Sequence, residues 1–113
     1  MGRSPLLGAS EAAAVAEFMT AARARLGAEL KDARLFGSRA RGEGHEGSDL
    51  DIALIVGVEG RARRHELYDL AFDIGLAHGV ELAPLVIEEP RLEELARRER
   101  MLAMDIAAEG IPV

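Results

Sequence analysis

Residues 35–42 read LFGSRARG, and after a short polar loop residues 48–54 read SDLDIAL. An apolar pair leads into Gly37-Ser38, a basic turn follows, and two carboxylates spaced two residues apart then precede an apolar run. Glycine and serine at a turn suit phosphate oxygens, and paired carboxylates suit a hard cation such as Mg²⁺. The two segments together predict a phosphate and metal site, for which the remaining chain serves as scaffold, substrate contact or partner surface.

The second segment predicts a strand that carries two acids. Every second residue from Leu50 to Val56 is large and apolar, which is the period of a strand with one fully apolar face. Because strand side chains repeat every two residues, Asp49 and Asp51 are expected to project from the same face at the strand's start. Two ionised carboxylates side by side repel each other unless a proton or a cation neutralises them. Asp49 and Asp51 are therefore predicted to bind one or two Mg²⁺ ions, which would polarise a phosphoryl group during transfer.

The first segment predicts contacts to phosphate. Gly37 lets the backbone approach a ligand, and Ser38 offers a hydroxyl and amide donors at the start of a helical turn. Arg39 and Arg41 add planar, permanently charged donors near a polyphosphate. Taken singly, each feature has an ordinary explanation, since Asp-x-Asp also occurs at solvated strand starts and Gly-Ser in plain turns. The combination at this spacing favours the functional interpretation.

Upstream of the motif, the sequence predicts one helix and one strand. Residues 1–9 form a loose lead-in, and Ser10 is the expected cap of a helix over about 11–30, with Glu11 in its first turn. A short strand over 33–36 then leads into the motif. The apolar stripe predicted for the helix consists of Val15, Phe18, Met19, Ala22 and Leu26.

Downstream, the sequence predicts a helix over 61–78 with Gly79 as its C-cap, and a strand over 80–87. Pro84 inside that strand indicates an edge position or a bulge. A last helix is expected to begin at Glu89-Pro90 and to stop at Gly110. The inner stripe of the first of these helices is Leu67, Leu70, Ala71, Ile74 and Ala77 or His78. The inner stripe of the last helix is Leu92, Leu95, Ala96, Leu102, Ala103 and Ile106.

The composition limits the class of protein. The chain has 113 residues, 49% hydrophobic and 30% charged, so we expect a single α/β domain over 1–113 with the order α-β-β-α-β-α. A net charge of -6 argues against general nucleic-acid binding. The absence of cysteine excludes disulfides and thiolate metal sites, and the sequence has neither a signal peptide nor an apolar run of membrane-spanning length. A cytoplasmic protein without membrane contact is expected.

The motif resembles a known signature. LFGSRARG followed by SDLDIAL, with ten residues between Ser38 and Asp49, is similar to the Gly-Ser and Asp-x-Asp signature of the DNA polymerase β-like nucleotidyltransferases. More narrowly, it resembles the minimal nucleotidyltransferases, small proteins often paired as antitoxins with a HEPN-domain toxin. The resemblance implies an α+β fold with a small mixed β-sheet packed with helices. It also implies that Gly37 and Ser38 hold the nucleotide phosphates, while Asp49 and Asp51 bind Mg²⁺.

Members of this family usually place a third carboxylate on the next strand, where it acts as a general base or completes the metal site. Glu81 is the candidate here, in a position where the family commonly has Asp. The resemblance thus implies that Asp49, Asp51 and Glu81 form the catalytic and metal-binding set.

The predicted function is Mg²⁺-dependent transfer of a nucleoside monophosphate, AMP from ATP, to a hydroxyl of a HEPN-domain toxin, for which this chain is the antitoxin. Because the third acid is a glutamate, a non-catalytic antitoxin that neutralises its partner by binding alone stays open as the alternative. Transfer to a small molecule such as an aminoglycoside is a third hypothesis, which we consider weaker because larger relatives use a second domain to bind the substrate.

Overall fold

The computed structural model describes residues 7–36, 49–90 and 111–113. In these ranges the elements follow in the order α1 (Ala9–Leu26), β1 (Leu30–Phe36), β2 (Leu50–Val56), α2 (Arg64–His78), β3 (Leu82–Glu88) and β4 (Ile111–Pro112). The predicted order from the first helix to the third strand is confirmed, and β4 is an addition that the sequence did not predict. Glu89 and Pro90 are helical as expected, and the rest of the predicted last helix lies outside the described residues.

The strands form a mixed sheet in the order β3-β2-β1-β4. β1 runs antiparallel to β2 and to β4, whereas β2 and β3 are parallel. Parallel neighbours need a crossover connection, which α2 provides. Pro84 lies in β3, an edge strand of the sheet as far as the chain is described, and an edge strand tolerates proline because it has a partner on one side only. The predictions of a mixed sheet and of an edge position for Pro84 are confirmed.

The start of α1 differs from the prediction. The N-cap is Gly8 rather than Ser10, and the Gly8 N–H donates to Oε1 of Glu11 over 2.9 Å. Glu11 thus accepts a hydrogen bond from the N-cap backbone, as the N3 side chain of a capping box does. Its carboxylate also suits the positive end of the helix dipole. The helix also ends earlier than expected, at Leu26, because Gly27 takes a positive φ of 53°. The predicted apolar stripe of α1 is confirmed as buried.

The end of α2 follows the prediction closely. Gly79 is left-handed, with φ 70° and ψ 32°, and the Val80 N–H donates to the Gly75 carbonyl over 2.9 Å. Gly75 is buried so tightly that an added Cβ would lie 2.6 Å from the Val80 oxygen. The start is less regular, because a 3-10 helix (Val58–Arg63) occupies the first turn predicted for α2.

The helices α1 and α2 run antiparallel on one face of the sheet. Arg25, near the end of α1, has its Nε 3.4 Å from Oε2 of Glu66 near the start of α2. Glu17 of α1 has its Oε2 2.6 Å from Nε2 of His78 at the end of α2. His78 therefore occupies the flank of α2 facing α1, whereas Ala77 is exposed. No helix in the described ranges is long and apolar enough to cross a membrane.

The core lies between the helix pair and the sheet, and β2 is its centre. The core-facing side chains of β2, at alternate positions from Leu50 to Val56, are fully buried beneath the helices. The opposite face is also buried at Ala53 and Ile55, which cluster with Ile87. The sequence predicted one apolar face, and the structure shows that β2 is buried on both faces beyond its first residues.

Candidate functional site

The two aspartates of the motif stand at the amino end of β2. Asp49 immediately precedes the strand and is exposed, while Asp51 is half-buried. Leu50 and Ile52 belong to the core beneath the helices, whereas Ala53 belongs to the cluster on the other face. Strand alternation therefore puts Asp51 on the sheet face opposite the helices, between its cross-strand partners Phe36 and Ala83.

The surroundings of Asp51 disfavour its charged form. Burial is the main cause that raises the pKa of Asp51 above its ordinary value, and the negative charge of Asp49 adds to it. A positive charge beside Asp51 would oppose both effects. The amino end of β2 is thus a place where a cation or a proton relieves electrostatic strain.

Glu81 joins this pair from the neighbouring strand. It immediately precedes β3 rather than lying within it, because β3 begins at Leu82 and not at Val80 as predicted. The Leu50 N–H donates to the Glu81 carbonyl over 2.9 Å, which aligns the starts of β2 and β3. The side chains also meet: a hydrogen bond with Asp49, followed by the charge of Asp49, raises the pKa of the Glu81 carboxyl.

The end of β1 lies at the same edge of the sheet. Phe36, the last residue of β1, is the cross-strand partner of Asp51. The chain therefore leaves β1 toward residues 37–48 directly beside the aspartates and re-enters at Asp49. Gly37, Ser38, Arg39 and Arg41, the predicted phosphate contacts, lie outside the described residues.

The donor set at this edge fits Mg²⁺ in its chemistry. All three side chains offer carboxylate oxygens, which hard cations prefer. Within the described ranges, however, no three acidic or imidazole groups are arranged to hold an ion without other ligands. Mg²⁺ is commonly bound by one or two carboxylates together with substrate phosphates, so the residues remain suitable for it.

The resemblance predicted that Glu81 lies near the two aspartates, but two features of this edge were not predicted, namely the hydrogen bond of Glu81 with Asp49 and the pairing of Asp51 with Phe36. A usable signal existed for the first. A strand, a helix and a strand in succession predict parallel neighbours joined by a right-handed crossover, which brings both strand starts to one edge. The second feature depends on the antiparallel register of β1 and β2, which a sequence pattern does not specify.

A family comparison matches most of the chain. Residues 15–106 match the family described as Nucleotidyltransferase domain, a range that contains both motif segments and Glu81. A search of curated proteins gave no match.

Similar folds occur in solved structures. A structure assigned to a minimal nucleotidyltransferase has 26% identity and a TM-score of 0.55, over 97% of this chain and 100% of that one. A toxin–antitoxin structure with AMP-PNP has 20% identity and a TM-score of 0.52, over 85% of this chain and 69% of that one. The toxin–antitoxin pair MntA–HpeT, in a variant with two aspartates two positions apart changed to glutamate, has 17% identity and a TM-score of 0.51, over 85% and 69%.

Proposed function

The chain belongs to the nucleotidyltransferase domain family, and on that premise we propose that it transfers AMP from ATP to a hydroxyl group of a partner protein. Asp49, Asp51 and Glu81 are the proposed catalytic and metal-binding residues. Gly37, Ser38, Arg39 and Arg41 are the proposed contacts to the nucleotide. Residues 1–113 are proposed to act as one domain.

One observation supports this proposal above the others. The carboxyl groups of Asp49, Asp51 and Glu81 stand at the starts of two adjacent parallel strands, and the pKa values of Asp51 and Glu81 are raised there, in each case with a contribution from Asp49. Acidic residues whose charged forms are disfavoured by their surroundings are typical of sites that bind a cation or transfer a proton. Neither the core nor the helix packing needs these three side chains, because the core residues lie elsewhere.

The proposed reaction is a displacement at the α-phosphorus of ATP. The acceptor hydroxyl oxygen forms a new bond to that phosphorus, the bond between the phosphorus and the bridging oxygen of the β-phosphate breaks, and pyrophosphate leaves with the electron pair. The hydroxyl proton passes to a carboxylate of the cluster, for which Glu81 is the proposed acceptor. When bound, Mg²⁺ would neutralise charge on the transferring phosphoryl group.

The choice of ATP and of a toxin partner is supported by the relatives. One similar structure is a toxin–antitoxin complex with AMP-PNP, which is an ATP analogue. The MntA–HpeT variant alters two aspartates at the spacing that separates Asp49 from Asp51. We therefore propose a toxin, of the HEPN class, as the acceptor and this chain as a cytoplasmic antitoxin.

A labelling experiment tests the transferase proposal. The purified protein is incubated with Mg²⁺, ATP labelled at the α-phosphate, and the purified product of the adjacent open reading frame. Label is expected on the adjacent gene product, and it should not appear when the label is on the γ-phosphate. Absence of α-label from that protein under saturating ATP would contradict the proposal.

A non-catalytic antitoxin is the second candidate. It is favoured by a glutamate, Glu81, as the third acid, together with the lack of a ready three-group metal site in the described part of the chain. Calorimetric titration with ATP separates the two candidates. A transferase is expected to bind ATP in a Mg²⁺-dependent manner that Asp49→Ala/Asp51→Ala abolishes, whereas a pure binding module needs no such affinity.

A further inference from the structure

The outward side of α2 carries two large apolar side chains that are mostly exposed and that no buried cluster of the described residues includes. Phe72 is 68% exposed and Leu76 is 72% exposed. They are four residues apart on one helix, so their side chains are neighbours. Asp69 and Asp73, both exposed, lie in the same turns of the helix. We call these four residues the outer patch.

The outer patch lies opposite the buried side of α2. Leu67, Ala71 and Ile74 pack into the core, and at 100° per residue Phe72 and Leu76 point away from them. A helix on the surface of a globular protein normally has a polar outer face. Contact between Phe72 and Leu76 removes only a small part of their apolar surface from water. An apolar pair in this position is therefore better explained by a partner than by folding.

The charges around the pair select the kind of partner. If two copies of α2 packed antiparallel across a two-fold axis near Phe72 and Leu76, Asp69 and Asp73 of each copy would approach the same acids of the other. Like charges at an interface oppose association. The chain as a whole carries a net charge of -6, which has the same effect. An apolar surface bordered by Lys or Arg is instead complementary to the outer patch.

We propose that the outer patch is the surface on which this chain docks its toxin partner, into an apolar socket of the toxin bordered by basic residues. The inference rests on the proposed function, which supplies the partner. α2 covers the sheet face opposite Asp51, so a toxin molecule seated on the outer patch does not cover the face that carries Asp51. Docking and transfer can therefore be separated by mutation.

The central experiment is calorimetric titration of the adjacent gene product into variants of this protein. Phe72→Gln/Leu76→Gln keeps residues that favour a helix, and its matched control is Val58→Gln, which replaces another large apolar side chain, 64% exposed and outside the patch. We expect the double variant to weaken the complex by at least about tenfold and the control to leave it unchanged. Mg²⁺-dependent ATP binding should be the same in all three proteins.

Charge reversal provides a second, independent variant. Asp69→Lys/Asp73→Lys is expected to weaken the complex and to reduce its salt dependence, whereas Asp69→Asn/Asp73→Asn should have a smaller effect. Circular dichroism establishes that each variant is folded. Light scattering of the protein alone reports self-association, which the proposal expects to be absent at the outer patch.

The outcomes separate the two proposals. If the wild-type protein binds the toxin and Phe72→Gln/Leu76→Gln binds equally well, the docking surface is wrong and the proposed function stands. A wild-type dimer that the double variant dissociates would assign the outer patch to a second copy of this chain and overturn the inference. If the wild-type protein neither binds nor labels the toxin, both proposals fail.

Discussion

The two ends of β2 use acidic residues in opposite ways. At the amino end, Asp49 lies beside Asp51 and Glu81, and the charged forms of Asp51 and Glu81 are disfavoured. Beyond the carboxyl end, Glu29 accepts a hydrogen bond from the Gly60 N–H over 3.0 Å, and the Glu29 carbonyl accepts one from the Gly57 N–H over 2.9 Å. We call Asp49, Asp51 and Glu81 the carboxylate edge. We call Glu29, together with the Gly57 and Gly60 N–H groups that it accepts from, the Glu29 clamp.

The difference shows which acids serve the fold. The Glu29 clamp satisfies backbone donors of the 3-10 helix before α2, so it ties two short segments together. A groove of about 510 Å³ flanks it, but Arg25 and Arg63 in that groove already pair with Glu66. The carboxylate edge has no comparable donors among the described residues. Its acids are therefore candidates for function at some cost in stability.

The largest expected effect comes from the carboxylate edge. Asp49→Asn/Asp51→Asn removes both charges with little change in shape, and we expect transfer of AMP to the partner to fall by at least about 10³-fold. The midpoint of urea unfolding should not decrease. Rates of α-label transfer and urea titrations measure the two effects. Loss of activity together with a loss of stability would show that the edge is structural, like the Glu29 clamp.

The sequence predicted the carboxylate edge better than the Glu29 clamp. Asp49 and Asp51 form part of a recognisable motif on a strand of clear alternation, so both residues and their strand could be located. Glu29 carries no local signal, because its partner Gly60 is 31 residues away and the contact depends on how α1 ends. The early end of α1 at Leu26, due to the positive φ of Gly27, is what brings Glu29 to Gly60.

The outer patch is a second feature that the sequence pattern did not predict. The stripe predicted for α2 was the buried one, and Leu67, Ala71 and Ile74 fulfil it. Phe72 and Leu76 repeat at the same helical spacing on the other side of α2, and both are exposed. The helical period of apolar residues therefore did not show which side of the helix is buried. Which of two apolar stripes faces the core is decided by the crossover from β2 to β3 and by the position of α1.

The next largest effect is expected within the Glu29 clamp. In Gly60→Ala the added Cβ would lie 2.8 Å from Cβ of Val56 and 3.3 Å from Cβ of Glu29, so the backbone must shift. We expect the free energy of unfolding to fall by about 1–3 kcal/mol. Val58→Ala, at an exposed position of the same 3-10 helix, is the control and should change stability little. Urea titration measures both, and equal effects would show that close packing at Gly60 is unimportant.

A smaller effect is expected when the acceptor in the Glu29 clamp is removed. Glu29→Ala removes the side-chain acceptor of the Gly60 N–H, which keeps the Gly57 carbonyl as an acceptor at 3.0 Å, so we expect a loss of only about 0.5–1 kcal/mol in the free energy of unfolding. Glu29→Gln keeps an amide oxygen at the same reach and should recover most of that loss. Transfer activity measured well below the unfolding temperature should be unaffected by either change. A drop in activity without a drop in stability would place Glu29 in the catalytic apparatus.

The smallest expected effect is a change in stability that depends on pH at the amino end of β2 and not at the Glu29 clamp. The folded-state pKa of Asp51 is raised, so the folded protein favours the protonated carboxyl, and the stability that this group contributes at low pH is lost as pH rises through the raised value. Asp51→Asn removes that loss. In buffer with a chelator at pH 7 the variant should therefore be more stable than wild type, by less than the loss expected for Glu29→Ala, because Asp51 is only half-buried and solvent screens its charge. At a pH below the ordinary pKa value of 3.8, the stability advantage of Asp51→Asn should disappear. The stability loss caused by Gly60→Ala should persist there, because it arises from steric overlap and not from charge. Urea titrations at the two pH values measure both differences, and a stability gain in Asp51→Asn that is independent of pH would contradict an electrostatic origin.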